Sequence, residues 1–199
     1  MNRTLIVTAL LAGAALGTTF GASAQTPAAA TTQRDVNQEQ RIENGLQNGS
    51  ITTRENAILQ KDEAHVDKMQ ARDLKDGSLS PQEQARLSAA QNRTSRAIAT
   101  AKTNGVNGNP LSASSQRAQA ETQRNINQQS RINAGVKDGS LTHHEAARME
   151  NGQAHVDARE ARVGADGHVS AAEQRRVARA DNRQSARIHR QRHDAQHRG

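Results

Sequence analysis

This sequence of 199 residues contains no cysteine, tryptophan or tyrosine, and a single phenylalanine, Phe20. The missing cysteine excludes disulfides, thiolate metal sites and a cysteine nucleophile. Beyond residue 24 no aromatic side chain remains, and Leu, Ile and Val together account for only 22 of residues 25–199. Large apolar side chains supply most of the energy of a core, and this content is below the level of about 20% that is typical of folded domains. The composition therefore predicts a thin core and marginal stability.

Long apolar runs are also missing, except for one at the N-terminus. Asn2-Arg3 is a short basic start, residues 4–20 are apolar, and Ala22-Ser23-Ala24 forms a small-x-small cleavage site. We interpret residues 1–24 as a secretory signal peptide. This predicts a periplasmic or secreted protein without a transmembrane span in the mature chain. With no cysteine at the cleavage site, a lipid anchor there is excluded.

Sequence signatures of catalysis are absent as well. The chain has no Gly-x-Ser-x-Gly elbow, no phosphate-binding glycine-rich loop and no His-Glu-x-x-His pair. A thin helical array rich in Ala, Gln and Arg also offers little material for a dry pocket. We therefore predict that the protein is not an enzyme and that it has no catalytic or cofactor-binding residues.

What the chain does contain is a tandem repeat. Residues 33–102 align without a gap to residues 123–192, with 29 identities in 70 positions. A period of this kind indicates duplication of a structural unit. Each copy also holds the pattern [DN]-G-x-[ILV]-[ST]-x-x-E twice. The four segments with this pattern are residues 48–55, 76–83, 138–145 and 166–173.

This short pattern is typical of a turn followed by the start of a helix. Asp-Gly and Asn-Gly are turn dipeptides, and Ser or Thr followed three residues later by Glu is a capping box. We therefore predict an all-α fold of two tandem three-helix units with a marginal core. The predicted helices are residues 33–45, 53–73, 81–102, 123–135, 143–163 and 171–196. The predicted layout is signal peptide 1–24, disorder 25–32, repeat 33–102, flexible linker 103–122 and repeat 123–199.

The four turns resemble the calcium loops of EF-hands at some positions. The acidic residues that match in three of them are Asp76, Glu83, Asp138, Glu145, Asp166 and Glu173. The first ligand position, however, holds Asn44, Arg72, Ala134 or Arg162 in the four loops, so the oxygen cage that calcium requires is incomplete. The capping box explains every matched residue without a metal, and calcium is therefore the less favoured ion.

Seven of the eight histidines lie in the second copy. Among them His189, His193 and His197 recur every fourth residue, which would place them on one face if the last helix continues that far. Imidazoles at this spacing bind copper, nickel or zinc. The alternative interpretation is a polar, solvated tail. Weak divalent-metal binding is therefore kept as an alternative function, with no other cofactor expected.

Positive charge is concentrated in the same region. Residues 33–102 carry a formal charge of +1, whereas residues 123–199 carry +5. Arginines line the last helix at positions Arg175, Arg176, Arg179, Arg183, Arg187 and Arg190. Like charges four residues apart destabilise a helix slightly, which points to contact with an anionic partner. The alternative interpretation is a solvated helix face. Without aromatic side chains to stack on bases, sequence-specific nucleic-acid binding is disfavoured.

The combined pattern resembles a type of small exported proteobacterial protein with Arg-Ile-x-x-Gly, Asp-Gly-x-[LV]-[ST]-x-x-Glu and Asn-Arg-x-Ser repeats. In the first copy these are Arg41-Ile42, Gly45, residues 76–83, Asn92-Arg93 and Ser95. The resemblance implies a helical repeat, degenerate EF-hand-like turns and export, but no mechanism. The leading hypothesis is a non-enzymatic periplasmic or secreted interaction or envelope-stress protein. Its basic last helix would contact an anionic partner or another envelope protein, and its narrow apolar seams are compatible with self-association.

Overall fold

The structure is a computed structural model that describes residues 26–195; the predicted signal peptide and His197 lie outside these residues. Six α-helices make up this part of the chain, without strands, which confirms the all-α prediction. They are α1 (Pro27–Asn48), α2 (Thr53–Asp73), α3 (Pro81–Thr103), α4 (Ala113–Asp138), α5 (His143–Val163) and α6 (Ala171–Gln191). Among the described residues, no helix is long and apolar enough to cross a membrane.

Four of the helices begin at the predicted capping boxes. The N-cap residues are Thr52, Ser80, Thr142 and Ser170, and each accepts a hydrogen bond from the backbone amide of the Glu three residues later. The carboxylate of each Glu in turn accepts a hydrogen bond from the N-cap amide, at 2.9 Å from Thr52 N to Glu55. Gly49 and Gly139 end α1 and α4 with φ of 77°, a conformation that glycine adopts without steric cost.

The segment predicted to be disordered before the first repeat is helical from Pro27 onward. Thr26 caps α1 by accepting a hydrogen bond from Ala29 N at 3.3 Å. Ala28 and Ala29 are buried in an apolar cluster with Ile132 of α4. The prediction for 25–32 is therefore wrong from residue 27 on, because contacts with a distant helix order a segment whose local composition predicts disorder.

The linker predicted at 103–122 is also mostly ordered. α4 begins at Ala113, so only residues 104–112 connect α3 to α4 without helical structure. This connection is tied to the first turn of the first copy, since Gly108 N donates to Gly49 O at 2.8 Å. Asn104 donates to Glu55 at 2.6 Å. The linker prediction is therefore wrong for residues 113–122, which are helical. The remaining connection, residues 104–112, packs against the first copy through these hydrogen bonds.

The two copies form one bundle rather than two separate three-helix units. The largest helix contacts pair α2 with α5 and α1 with α4, so equivalent helices of the two copies pack against each other. The α1–α4 pair is antiparallel, since Lys137 reaches Gln33 at 3.0 Å and Gln119 reaches the carbonyl of Leu46 at 3.5 Å. Helix α3 packs on the outside of α1 and α2, and α6 packs on the outside of α4 and α5. The copies are thus related by an approximate twofold rotation.

Small residues allow α2 and α5 to approach closely. A Cβ atom added at Gly164 would lie 3.0 Å from Cβ of Ala57. Farther along the contact, Ala71 of α2 and Ala147 of α5 line one groove, while Ala64 and Ala161 line another. These alanines therefore allow the two helices to pack closely.

The apolar core is split into two clusters. One contains Ile132, Val136, Leu141, Met149 and Ile188 with smaller residues. The other contains Ile42, Leu46, Ile51, Leu59 and Ile98 with Ala101 and Ala118. Along α1 the buried residues between these clusters are polar. The buried residues of α2, α4 and α5 in the same region are mostly polar, and the apolar exceptions are Ala64, Val66, Ile126, Ala154 and Val156. The thin apolar core predicted from composition thus occupies the two ends of the bundle and leaves a polar middle.

Candidate functional site

The polar middle of the bundle is strongly acidic. Twelve of the 20 Asp and Glu side chains are buried, whereas none of the Lys, Arg and His side chains in residues 26–195 is. Charged side chains are rarely buried without a partner of opposite charge. Nine of the buried acids lie between the apolar clusters, and we call them the carboxyl layer. Its members are Asp35, Glu39, Glu63, Asp67, Glu121, Glu150, Asp157, Glu160 and Asp181.

Asn and Gln side chains supply hydrogen bonds to this layer, and the two copies exchange acid and amide at equivalent positions. In the first copy Gln70 donates to Asp35. The equivalent residues of the second copy are Glu160 and Asn125, and here Asn125 donates to Glu160 at 3.0 Å. Each copy therefore has this bond between its first two helices. In the first copy the second helix donates, and in the second copy the first helix donates.

A second bond shows the same exchange. Gln60 of α2 donates to Glu39 of α1 at 3.0 Å. In the second copy Gln129 of α4 donates to Glu150 of α5 at 3.2 Å. The repeat therefore preserves the hydrogen bond rather than the residue identity, which explains why these four pairs of interior positions differ between the copies.

At two places the layer brings carboxyl groups into contact with each other. Asp67 and Asp157 are equivalent residues, acidic in both copies, and their carboxyl groups lie close enough for each to affect the pKa of the other. Glu121 and Asp181 form a second such pair. Burial raises the pKa of Asp157 to about 7 and that of Glu121 to about 8. Two carboxyl groups can share a hydrogen bond only when one of them is protonated.

Among residues 26–195 the one group of three converging ligand-type side chains is Glu121, Glu160 and Asp181, whose oxygens lie within 4.8 Å of one another. Arg124 faces this group, with Nη1 3.3 Å from Glu121 Oε2 and 3.8 Å from Asp181 Oδ2. The guanidinium therefore already supplies positive charge where a cation would bind. Sequence reasoning missed this group because its members come from three helices and share no local motif.

The predicted calcium ligands are used for turns and caps. Asp76, Asp138 and Asp166 each accept a hydrogen bond from the backbone amide two residues later, at 2.8–3.2 Å. The glutamates bond to the N-cap residues of the following helices, and the bonds from Ser80 and Ser170 lower the pKa of Glu83 and Glu173. Glu145 caps α5 in the same way. None of these side chains belongs to a three-ligand group in the part of the chain that the structure describes.

Two of the three predicted metal-binding histidines lie near each other at the end of α6. The rings of His189 and His193 have centroids 4.3 Å apart. His193 Nδ1 donates to the carbonyl of His189 at 2.7 Å, which leaves Nε2 of that ring exposed. Because α6 ends at Gln191 rather than residue 196, the predicted helical face of three histidines is not continued.

Basic side chains line the groove between α2 and α5. At one end, a pocket of about 320 Å³ is lined by Lys68, Arg72, Lys75, His144 and Arg148 together with Ala71, Ala147 and Asn151. At the other end, a pocket of about 410 Å³ is lined by Lys61, His65, Lys68 and Arg162 with three alanines. Lys68 belongs to both pockets, so the two form one continuous groove.

A second groove runs between α5 and α6 and joins the first. Arg148 and Asn151 line it together with Arg187 and Arg190, and farther along it is lined by His155, Arg159 and Arg183. No acidic side chain lines any of these four pockets. We call this surface the basic face. Its cationic members are Lys61, Lys68, Arg72, Lys75, Arg148, Arg159, Arg162, Arg183, Arg187 and Arg190.

Only part of the predicted arginine set belongs to these grooves. Arg183, Arg187 and Arg190 line the α5–α6 groove, whereas Arg175, Arg176 and Arg179 are exposed on the first half of α6. The cations of α2 and α5 were missed because charge was summed along the chain, where neighbouring acids cancel them.

Most of the acids that offset these cations along the chain are buried, whereas the cations remain at the surface. Outside the interior, residues 26–195 retain eight acidic side chains against 25 Lys and Arg side chains. Several of the eight are engaged in turns and caps, such as Asp166 and Glu173. The surface is therefore far more basic than the formal net charge of +7 indicates.

No family model, curated protein or solved structure matches this chain.

Proposed function

We propose that this protein is a non-enzymatic, exported interaction protein of the cell envelope that binds anionic partners through the basic face. The observation that carries the proposal is the pair of joined grooves lined by cations from α2, α5 and α6 and by no acid. Export is supported by the N-terminal pattern of residues 1–24. The absence of catalytic motifs from the sequence supports a binding role over an enzymatic one.

The shape of the face indicates the kind of partner. Surface charges of one sign attract counter-ions over distances of about 10 Å, and arginine pairs well with phosphate and sulfate oxygens. A partner with several such groups in series, such as a polysaccharide sulfate or a phosphorylated lipid surface, would contact both grooves at once. The exposed Arg175, Arg176 and Arg179 would extend that contact along α6.

Binding to immobilised heparin at low and high salt tests this function. We expect binding at low salt that weakens steeply as salt increases, because contacts with a polyanion release bound counter-ions. The triple variant Arg148→Ala, Arg187→Ala, Arg190→Ala should bind at least about tenfold more weakly and should show a shallower salt dependence.

The matched control is the triple variant Arg86→Ala, Arg93→Ala, Arg96→Ala on α3, which removes the same charge from outside the basic face. If both triple variants lose affinity equally, general charge rather than this face is responsible. Absence of binding to heparin, lipopolysaccharide and duplex DNA even at low salt would refute the proposal.

The alternative function is periplasmic binding of copper, nickel or zinc. It is favoured by one observation, the adjacent rings of His189 and His193 at the end of α6. Spectroscopic titration with copper or nickel, compared with the variant His189→Ala, His193→Ala, His197→Ala, separates the two functions. Metal binding lost in that variant, without any change in heparin binding, would support the metal function at this site.

A further inference from the structure

The interior of the bundle has too few hydrogen-bond donors. In residues 26–195, nineteen buried side-chain nitrogen and oxygen atoms have no hydrogen-bond partner among amide, hydroxyl or cationic groups. Sixteen of these atoms are carboxyl or carboxamide oxygens. Both oxygens of Glu63 are among them, as are the amide oxygens of Gln70, Gln129 and Gln153. Unsatisfied buried acceptors of this kind cost free energy, and folded interiors contain few of them.

Protonation supplies the missing donors. A protonated carboxyl group carries one O–H donor, whereas a carboxylate only accepts. Such a proton would join Asp67 to Asp157 and Glu121 to Asp181, whose neighbouring carboxyl groups otherwise have no donor between them. Protonation also removes the repulsion between the acids that face one another across the approximate twofold axis.

The cations near the layer are too few to neutralise it. Arg34 acts on Asp35 from the edge of α1, and Arg124 acts on Glu121 and Asp181 from α4. From α3 the facing side chain is the neutral Gln91, which donates to Asp35 at 2.6 Å. Two further acids act on the layer from its flanks, Glu43 on α1 and Asp62 on α2.

We propose that this protein folds by taking up protons, so that protons are the ligands that occupy the carboxyl layer. The bundle is then stable in acidic surroundings and loses its fold as the pH rises. Because an exported protein meets the pH of its surroundings, the basic face would be assembled under acid conditions. That last step alone depends on the proposed function.

The direction of the pH dependence follows from linkage. Unfolded Asp and Glu have pKa values of about 4. Burial raises the pKa of Asp35 to about 7 and that of Glu150 to about 8 in the folded chain. Between these limits the folded state binds more protons than the unfolded state. The stabilisation is therefore fully present below about pH 4 and is lost as pH rises through 7 and 8.

Thermal unfolding of the exported chain, followed by circular dichroism at constant ionic strength, tests the proposal. We expect the Tm at pH 5 to exceed the Tm at pH 8 by at least about 10 °C. Unfolding in urea at pH 6 in weakly buffered solution should release more than one proton per chain. An equal or higher Tm at pH 8, or no helical structure at pH 5, would overturn the proposal.

Variants taken from the other copy make the test specific. Glu39→Gln and Glu63→Gln introduce the amides that the second copy has at the equivalent positions Gln129 and Gln153, so their shape is accepted by the bundle. Together they should raise the Tm at pH 8 more than at pH 5 and reduce the proton release. The matched control is Asp76→Asn, an exposed position where the amide retains the turn acceptor, and it should leave the pH dependence unchanged.

Divalent cations are the competing ligands for such a layer. If calcium, manganese or zinc restores the Tm at pH 8 to its value at pH 5 and a chelator lowers it at pH 5, metal ions rather than protons neutralise the layer and the proposal fails. If neither addition changes the Tm while the pH dependence persists, the proposal is supported. Heparin binding is not used in this test, so failure of the anion-binding function would leave its outcome unaffected.

Discussion

Helices α3 and α6 hold equivalent positions in the two copies, each on the outside of its own first two helices. Their buried residues correspond, with Leu87 and Ile98 matched by Val177 and Ile188. Arg41 bonds to Ser95 of α3 at 2.6 Å, and Arg131 bonds to Ser185 of α6 at 2.7 Å. The two helices therefore pack in the same position and register, although some of their buried residues differ, as Thr94 and Gln184 do.

Their solvent faces differ. The six exposed arginines of α6 are matched on α3 by only two arginines, and the other four positions hold Ala85, Ala89, Ala97 and Thr100. Since α3 packs in the equivalent position with Ala or Thr in place of four of these arginines, the arginines of α6 are not needed for this packing. This difference agrees with the proposed contact of α6 with an anionic partner.

The largest effect is expected where the copies agree. Ile42 and Ile132 are equivalent, fully buried, and belong to different apolar clusters. Replacing either by Ala should lower the free energy of unfolding by about 2–5 kcal/mol, through lost burial and the cavity that remains. Urea unfolding at pH 5 measures this loss. Two separate transitions, with only one affected by each variant, would show that the copies unfold independently and would contradict the single bundle.

An intermediate effect is expected where the copies differ in packing. A Cβ atom at Gly152 would lie only 2.1 Å from Oε1 of Gln184, and Gln184 donates to the carbonyl of Met149 at 2.7 Å. The first copy has Asp62 and Thr94 at the equivalent positions. Gly152→Asp alone should destabilise the chain by about 1–3 kcal/mol through overpacking.

The double variant Gly152→Asp, Gln184→Thr reproduces the pair found in the first copy and should recover part of that loss. A double-mutant cycle from urea unfolding measures the coupling between the two positions. If the two losses simply add, the contact between Gly152 and Gln184 does not determine how α6 packs on α5.

The smallest effect is expected at the helix caps. Thr52 and Thr142 cap α2 and α5 with the same bonds to Glu55 and Glu145. Thr→Ala at either position should cost about 1 kcal/mol, and the two losses should agree closely. A clear difference, measured by urea unfolding, would show that one of these turns has a further role.

Local signals in the sequence predicted the helices well, because a capping box is formed by residues three apart. The starts of α2, α3, α5 and α6 follow from Thr52, Ser80, Thr142 and Ser170. The arrangement of the copies did not follow from the sequence, because the contacts between α1 and α4 and between α2 and α5 join residues about 90 positions apart. No local pattern distinguishes a residue that faces its own copy from one that faces the other.

The candidate sites show the same limit. The arginines of α6 were visible as a run in the sequence. The carboxyl layer was not, because acids such as Glu63 and Asp157 lie two residues from Lys61 and Arg159 in the sequence and were counted as cancelling their charge. A usable signal was present in the aligned repeats, where acid and amide alternate at positions 35 and 125 and at positions 39 and 129.

That alternation has a consequence for the symmetry of the bundle. In a dimer of identical chains, a rotation axis repeats every residue, so an acid beside the axis always meets a second acid. A chain that carries both halves is free of this constraint and can place Glu39 in one half and Gln129 in the other. Within the carboxyl layer, only Asp67 and Asp157 are an acid facing its own equivalent acid, as every such residue would be in a dimer of identical chains. Gene duplication thus allowed the two halves to become complementary in their interior, each suited to the other rather than to itself.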